Sequence, residues 1–147
     1  MIKKFLKVVD LMISTIILIV TVAGVVFLFK NHALDYDRHL TADVYVDTAI
    51  DQNVNLVFYK MGCPYCQAGK QAVVTAAKES AYPTFYIDVD SDKGQQLVKQ
   101  YQVEKAATII TLRDGESQHY LYTKKTQKGK ITKITANTKN IEEAFND

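Results

Sequence analysis

The two cysteines of the chain, Cys63 and Cys66, lie three residues apart in the stretch Met-Gly-Cys-Pro-Tyr-Cys-Gln. At this spacing they can form a structural disulfide, supply half of a metal site, or act as a redox dithiol. A disulfide across so short a loop contributes about 2 kcal/mol by chain entropy, against about 3 kcal/mol for a 15-residue loop. The pair is therefore a weak structural crosslink.

A closed zinc site is an equally poor fit to the pair. Such a site needs four ligands, and the histidines available are His32, His39 and His119. They are dispersed along the chain and include no second closely spaced pair, which closed zinc sites normally show. We therefore predict no bound metal and no bound cofactor.

The residues around the pair favour redox chemistry. Pro64 suits the first position of a helix and leaves Cys63 at the N-cap. There the sulfur faces unsatisfied backbone N–H groups and the positive end of the helix dipole, which stabilise a thiolate. Cys66 follows one turn later on the same face, where it can resolve a mixed disulfide. We expect Tyr65 to be exposed beside Cys63 and to contact substrate.

Alternating strands and helices surround the motif in the sequence. Periodicity and turn residues predict strands over 44–46, 55–60, 84–89, 108–112 and 119–123, and helices from Pro64 to about Ser80, after a cap at Asp90 or Ser91, and over 140–146. Asp114 and Gly115 mark the turn of a hairpin. Between residues 117 and 141 lysines accumulate without an acidic residue, which we interpret as the solvated surface of that hairpin.

Residues 11–29 form an uncharged apolar run near the N-terminus. As a helix it would extend roughly 28 Å, close to the ~30 Å hydrocarbon core of a bilayer. The run is longer than the apolar region of a cleaved signal peptide, and no small-x-small site follows it. We predict an uncleaved transmembrane anchor that attaches the protein to the cell membrane.

Basic residues flank this run unequally. Lys3, Lys4 and Lys7 precede it, whereas Lys30 and Arg38 follow it, so the N-terminus is predicted to be cytoplasmic and the C-terminal domain extracytoplasmic. The predicted order is a cytoplasmic segment over 1–10, the membrane helix over 11–29, a stalk over 30–43 and a domain over 44–147. A net charge of +2 does not indicate a nucleic-acid partner.

The sequence resembles the thioredoxin superfamily over residues 44–147. The resemblance rests on the strand at 55–60, the Cys-Pro-Tyr-Cys helix start, the segment Phe-Tyr-Ile-Asp-Val-Asp over 85–90, and Thr108-Ile109-Ile110 with the following Asp-Gly-Glu turn. It implies an α/β thioredoxin fold, a central mixed sheet flanked by helices, here preceded by one membrane helix. It also implies that Cys63 attacks as nucleophile and that Cys66 resolves.

Several positions depart from the family pattern. Cys-Pro-Tyr-Cys and Lys60 resemble dithiol glutaredoxins, but the glutathione-binding Thr-Val-Pro and Gly-Gly-x-Asp elements of that family are absent. Val57 stands where family thioredoxins carry a buried aspartate. Ala107 stands where the family places a cis-proline opposite the cysteines, so we expect a trans peptide after Ala106, because a cis bond there costs about 3–4 kcal/mol. We place Ala106, Ala107 and Thr108 in a reshaped substrate-facing loop, in which metal capture is also more credible than in the family.

Together these features predict a membrane-anchored thiol–disulfide oxidoreductase that exchanges disulfides with exported cysteine-containing proteins or peptides. The direction, oxidation or reduction, stays open. Because Cys63 and Cys66 are the only cysteines, a redox partner protein or a small thiol must recharge the pair. The alternative is a non-catalytic binding or assembly module of a secretion or transfer system.

Overall fold

The computed structural model describes residues 2–33, 35–36, 39–48, 53–128 and 131–146. The chain divides into two units, Met1–Asp35 and Tyr36–Asp147. Helix α1, Ile2–Ala33, makes up the first unit. The second contains the strands and the remaining helices.

Helix α1 contains the predicted apolar run. Residues Val9–Lys30 form a stretch that is long and apolar enough to cross a membrane. The hydroxyl of Thr15 donates to the Leu11 carbonyl at 2.6 Å, and that of Thr21 donates to the Leu18 carbonyl at 2.8 Å. These hydrogen bonds satisfy both hydroxyls inside the helix, as an apolar solvent requires.

A five-stranded mixed sheet forms the centre of the second unit. Its strands are β1 (Leu40–Thr41), β2 (Val54–Tyr59), β3 (Thr84–Asp88), β4 (Thr108–Arg113) and β5 (Glu116–Leu121). Their order is β1-β3-β2-β4-β5, with β3 parallel to β1 and β2, and with β4 antiparallel to β2 and β5. The hairpin with Asp114 and Gly115 in its turn is confirmed.

The helices of this unit are α2 (Ala42–Asp47), α3 (Pro64–Glu79), α4 (Asp92–Gln100) and α5 (Thr138–Asn146). Side chains alternate across β2, so Leu56 and Phe58 share one face, in a cluster with Ala42 of α2 and Leu97 of α4. The opposite face is covered by α3 and α5, which contact each other. The predicted α/β architecture, a mixed sheet between helices, is confirmed.

The predicted strand over 44–46 is wrong. These residues belong to α2, in which Ala42 is buried and Tyr45 is half-buried, a three-residue spacing typical of a helix. Val44 and Val46 are exposed. The strand of this region is β1, which lies earlier and pairs with β3 through Leu40 and Phe85.

The predicted stalk is also longer than the structure allows. The second unit begins at Tyr36, whose side chain is buried, and it includes β1 and the start of α2. The last part of the segment assigned to a stalk therefore belongs to the globular unit.

A second hairpin, absent from the sequence prediction, lies between β5 and α5. It consists of β6 (Thr123–Lys128) and β7 (Ile131–Ala136), which pair antiparallel as a separate sheet and contact α3. The chain leaves the main sheet at Tyr122, whose N–H donates to the Ala107 carbonyl at 3.1 Å. The Tyr122 carbonyl accepts from the Asn137 N–H at 2.9 Å, which closes the base of the hairpin.

Candidate redox site

The start of α3 holds the cysteine pair as the sequence predicts. Cys63 is the N-cap in an extended conformation, Pro64 occupies the first turn, and the Cys63 carbonyl accepts the first helical hydrogen bond from Gln67 at 3.0 Å. Before it the chain turns through Gly62, whose φ of 72° is accessible to glycine at little cost. Strand β2 and this turn thereby deliver Cys63 to the helix terminus.

The two thiols have different environments. Both cysteines are free, but Cys63 is half-buried, whereas Cys66 is fully buried and hydrogen-bonds to Cys63. Burial raises the pKa of Cys66 to about 11, and a hydrogen bond from the Lys60 backbone opposes this shift. Because only Cys63 reaches the surface, the geometry favours attack by Cys63 and resolution by Cys66.

Two buried tyrosine hydroxyls lie beside Cys66. The Tyr36 hydroxyl donates to the Cys66 carbonyl at 3.4 Å, and the Tyr122 hydroxyl donates to the Phe58 carbonyl at 3.3 Å. Tyr122 also contacts the Tyr36 hydroxyl and the Cys66 thiol. Burial raises the pKa of both tyrosines, so both hydroxyls remain protonated and able to donate. Val57 is fully buried, and as an aliphatic residue it offers no carboxylate that could exchange a proton with Cys66.

Tyr36 is a residue that the sequence interpretation missed, since it was assigned to the stalk. Its ring packs against Tyr59 and Tyr86, with centroids 4.6 and 5.2 Å apart, and the Lys70 ammonium lies 5.8 Å from its centroid. An aromatic residue within a polar run is a weak signal by itself. The two-residue strand β1 that follows it is too short to show periodicity.

A groove of about 630 Å³ opens at Cys63 and is lined there by Tyr65, Ala106 and Ala107. The side chain of Tyr65 is 40% exposed, as predicted, whereas Ala107 is buried in the groove wall. Among the described residues there is no cis peptide, so the bond between Ala106 and Ala107 is trans as expected.

Two predicted site residues lie outside this groove. Pro64 is exposed at the first turn of α3. Thr108 begins β4, is 5% exposed, and donates its hydroxyl to the Lys105 carbonyl at 2.7 Å. Thr108 borders a separate groove that includes Tyr101 and His119.

Lys60, noted for its proximity to Cys63 in the sequence, pairs with a carboxylate. Its ammonium lies 2.8 Å from the Asp90 carboxylate, and both side chains are half exposed. The hydrogen bond to Asp90 raises the pKa of Lys60. Asp90 therefore offsets much of the positive charge that Lys60 brings to the site.

No metal-binding cluster of three or more His, Cys, Asp or Glu side chains occurs within the part of the chain that the structure describes. His119 lies on β5, in register with Ile110. Besides Cys63, the described groups that interact with the buried thiol are the Tyr122 hydroxyl and the Lys60 backbone.

A mixed sheet that delivers a Cys-x-x-Cys pair to a helix start, with one thiol accessible and one buried, defines the dithiol class of thioredoxin-fold proteins. The thioredoxin family model matches residues 38–137. The chain belongs to the thioredoxin family.

A solved thioredoxin shares this fold. The chain is 17% identical to Fasciola hepatica thioredoxin, with a TM-score of 0.50 over 72% of this chain and 92% of that one. It is 28% identical to the germline-specific thioredoxin Deadhead of Drosophila melanogaster, with a TM-score of 0.43 over 53% and 77% of the two chains. Thioredoxin f2 of Chlamydomonas reinhardtii is 18% identical, with a TM-score of 0.45 over 55% and 81%. No curated protein sequence matches the chain. Membership of the family supports a general thiol–disulfide oxidoreductase activity.

Proposed function

We propose that the protein is a membrane-anchored thiol–disulfide oxidoreductase whose thioredoxin domain faces the extracytoplasmic side and exchanges disulfides with exported proteins or peptides. The observation that carries this proposal is the asymmetry of the pair, with Cys63 at the groove surface and Cys66 buried behind it. An attacking thiol must reach substrate, while a resolving thiol needs only to reach the attacking sulfur.

In the reducing direction, the Cys63 thiolate attacks one sulfur of a substrate disulfide. The substrate S–S bond breaks, a Cys63–substrate disulfide forms, and the second substrate sulfur leaves as a thiolate that takes up a proton. Cys66, after losing its proton, attacks the Cys63 sulfur and releases the first substrate sulfur. Two electrons thereby pass from the dithiol to the substrate, and the Cys63–Cys66 disulfide remains.

Oxidation of a substrate dithiol runs through the same intermediate in reverse. In either direction a partner protein or a small thiol must restore the pair, since the chain has no other cysteine. The apolar stretch of α1 supports the anchor, and the excess of lysine before it supports the proposed orientation.

Capture of substrates by single-cysteine variants tests this function. In Cys66→Ser, mixed disulfides should accumulate on Cys63, because the thiol that releases them is missing. In Cys63→Ser, which leaves the buried thiol alone, we expect at least about tenfold less capture, given how strongly reactivity depends on thiolate exposure. The measurement is non-reducing electrophoresis of membranes after acid quenching, followed by mass spectrometry of the adducts.

The matched pair also separates exchange from simple binding. Equal capture by both variants, or no capture by either, would contradict exchange through Cys63. If cells that carry the folded Cys63→Ser variant behave like cells that carry the parent protein, the result would instead favour the non-catalytic binding module.

A further inference from the structure

The second hairpin forms the far wall of the groove that opens at Cys63. Lys124 and Lys125 at the start of β6 line this wall, together with Thr123. The amides of Asn137 and Asn140 also line it, and both donate to the Leu121 carbonyl, at 3.4 and 3.0 Å. The hairpin base is thus tied to the end of β5 beside the cysteine pair.

The charge of this groove has one sign. Its described lining includes Lys105, Lys124 and Lys125 and no carboxylate. All three lysines are exposed, and none forms a salt bridge with a described residue. By contrast, Lys60 and Lys93, which do not line the groove, are each paired with aspartate. The groove therefore presents uncompensated positive charge beside the attacking thiol.

The rest of the groove lining includes apolar residues, two of them small. Ala106 and Ala107 line the groove, as does Leu121, which is 41% exposed. The small side chains of the two alanines leave room for a peptide backbone. Lys124 and Lys125 belong to the hairpin, whereas Lys105 directly precedes Ala106 in the chain.

We propose that this groove is a docking site for an acidic peptide segment that flanks the substrate cysteine, with Lys105, Lys124 and Lys125 as its specificity-determining residues. This inference rests on the proposed function, because it names the substrate class of the same site. The argument for this occupant is charge complementarity, which governs encounter rate and partner choice more than final affinity. Lys124 and Lys125 belong to the hairpin between β5 and α5, and this hairpin lines the groove at Cys63. The fold thereby positions their positive charge beside the Cys63 thiol.

Two peptides that differ only in charge test the proposal. Each carries one cysteine activated as a 2-pyridyl disulfide, flanked by four Glu residues in one peptide and by four Gln residues in the other. The full-length reduced protein is held in phosphatidylcholine nanodiscs, and release of 2-thiopyridone reports attack by Cys63. At low salt we expect the Glu peptide to react about threefold to thirtyfold faster, the range for a few exposed ion pairs. The preference should decline toward 1 M salt, where the Debye length is about 3 Å.

Two double variants with the same net charge test whether the preference for the Glu peptide arises in the groove. Lys124→Gln with Lys125→Gln should remove most of the preference for the Glu peptide. Lys133→Gln with Lys139→Gln changes net charge equally at exposed positions outside the groove, and should retain the preference. Loss of preference in both variants to the same extent would show a diffuse field and overturn the docking site.

The remaining outcomes separate this proposal from the proposed function. Equal rates for the two peptides would overturn acidic docking and leave disulfide exchange intact.

Absence of thiopyridone release from both peptides would contradict exchange. Docking would then be measured by fluorescence anisotropy of the same peptides with Ser in place of cysteine. In that assay, tighter binding of the Glu peptide that depends on Lys124 and Lys125 supports the groove, and equal binding overturns it. If Lys124 and Lys125 support binding to phosphatidylserine nanodiscs but not to the Glu peptide, the positive charge of the groove serves lipid binding. That result would also overturn the proposed peptide docking site.

Discussion

At the scale of single residues, the site differs from a carboxylate-assisted thioredoxin centre in how it moves a proton. Cys66 must lose a proton before it can release a captured substrate, and burial holds its pKa at about 11. Of the two nearby tyrosine hydroxyls, that of Tyr122 contacts the Cys66 thiol, whereas that of Tyr36 donates to the Cys66 backbone carbonyl. A neutral hydroxyl stabilises a thiolate by donating a hydrogen bond, but it does not act as a base near neutral pH.

This arrangement predicts a release step that accelerates with pH. In the mixed disulfide the Cys63 thiol no longer contributes, but burial, the largest cause, still raises the pKa of Cys66 above its usual value. The thiolate fraction of Cys66, and with it the decay of the mixed disulfide, should therefore rise by about tenfold between pH 7 and pH 8. The Tyr122 hydroxyl lowers the pKa of Cys66, so Tyr122→Phe should slow release more than capture. Quenched-flow measurement of mixed-disulfide formation and decay checks both points. A release rate independent of pH would contradict this role for Cys66.

At the scale of elements, the motif and its supporting strands were predictable because their signals are local. Strand β2, the helix start at Pro64 and the hairpin of β4 and β5 follow from apolar runs, proline and Asp-Gly. The segment Ala42–Asp47 misled the prediction, because apolar residues at alternate positions are also compatible with one helical turn. The sequence does not predict hairpin β6–β7, because its many lysines are typical of a solvated surface. The pairing of its two strands depends on contacts with α3. The groove charge could be seen in the sequence, but its location beside Cys63 could not.

Helix α3 depends on a glycine at the point where the two sheets meet. A Cβ added to Gly69 would lie 2.5 Å from Cδ2 of Tyr122 and 2.9 Å from Cγ2 of Thr123. Tyr122 is fully buried and tied through its backbone to Ala107, so its ring has little room to move. Gly69 is therefore required for the close packing of the second hairpin against the redox helix.

We expect Gly69→Ala to lower the free energy of unfolding of the domain by up to about 2 kcal/mol. Overpacking costs about 1–3 kcal/mol, and the gain of about 1 kcal/mol in helix propensity offsets part of that cost. Urea unfolding of the full chain in nanodiscs, followed by near-ultraviolet circular dichroism of the tyrosines, measures the change. Ala68→Gly at the adjacent exposed position calibrates the propensity effect alone. A Gly69→Ala protein more stable than the parent would show that the contact with Tyr122 is loose.

At the scale of the whole molecule, the chain combines an apolar helix and a thioredoxin domain as two separate units. The helix contains a stretch of 22 residues suited to a bilayer. A tethered domain meets substrates near the membrane, so the side on which it lies decides whether it encounters exported or cytoplasmic proteins.

The proposed orientation predicts that Cys63 in intact cells reacts with a membrane-impermeant maleimide. Cys66 is buried and should contribute little, so one label per folded chain is expected. Cys63→Ser provides the matched control and should lose nearly all of the labelling, while permeabilised cells set the maximum for the parent chain. Labelling that requires permeabilisation would place the domain in the cytoplasm.

The central claim is that Cys63 and Cys66 form a reversible redox pair. Its most direct test is equilibration of the full-length protein with glutathione redox buffers at pH 7, with acid quenching and mass measurement of the oxidised fraction. We expect one two-electron transition, with a potential between about −270 mV, typical of a reductant, and about −120 mV, typical of a strong oxidant. The value would also assign the direction of exchange. Failure of the pair to equilibrate with thiols, or a transition that persists in Cys63→Ser, would contradict the claim.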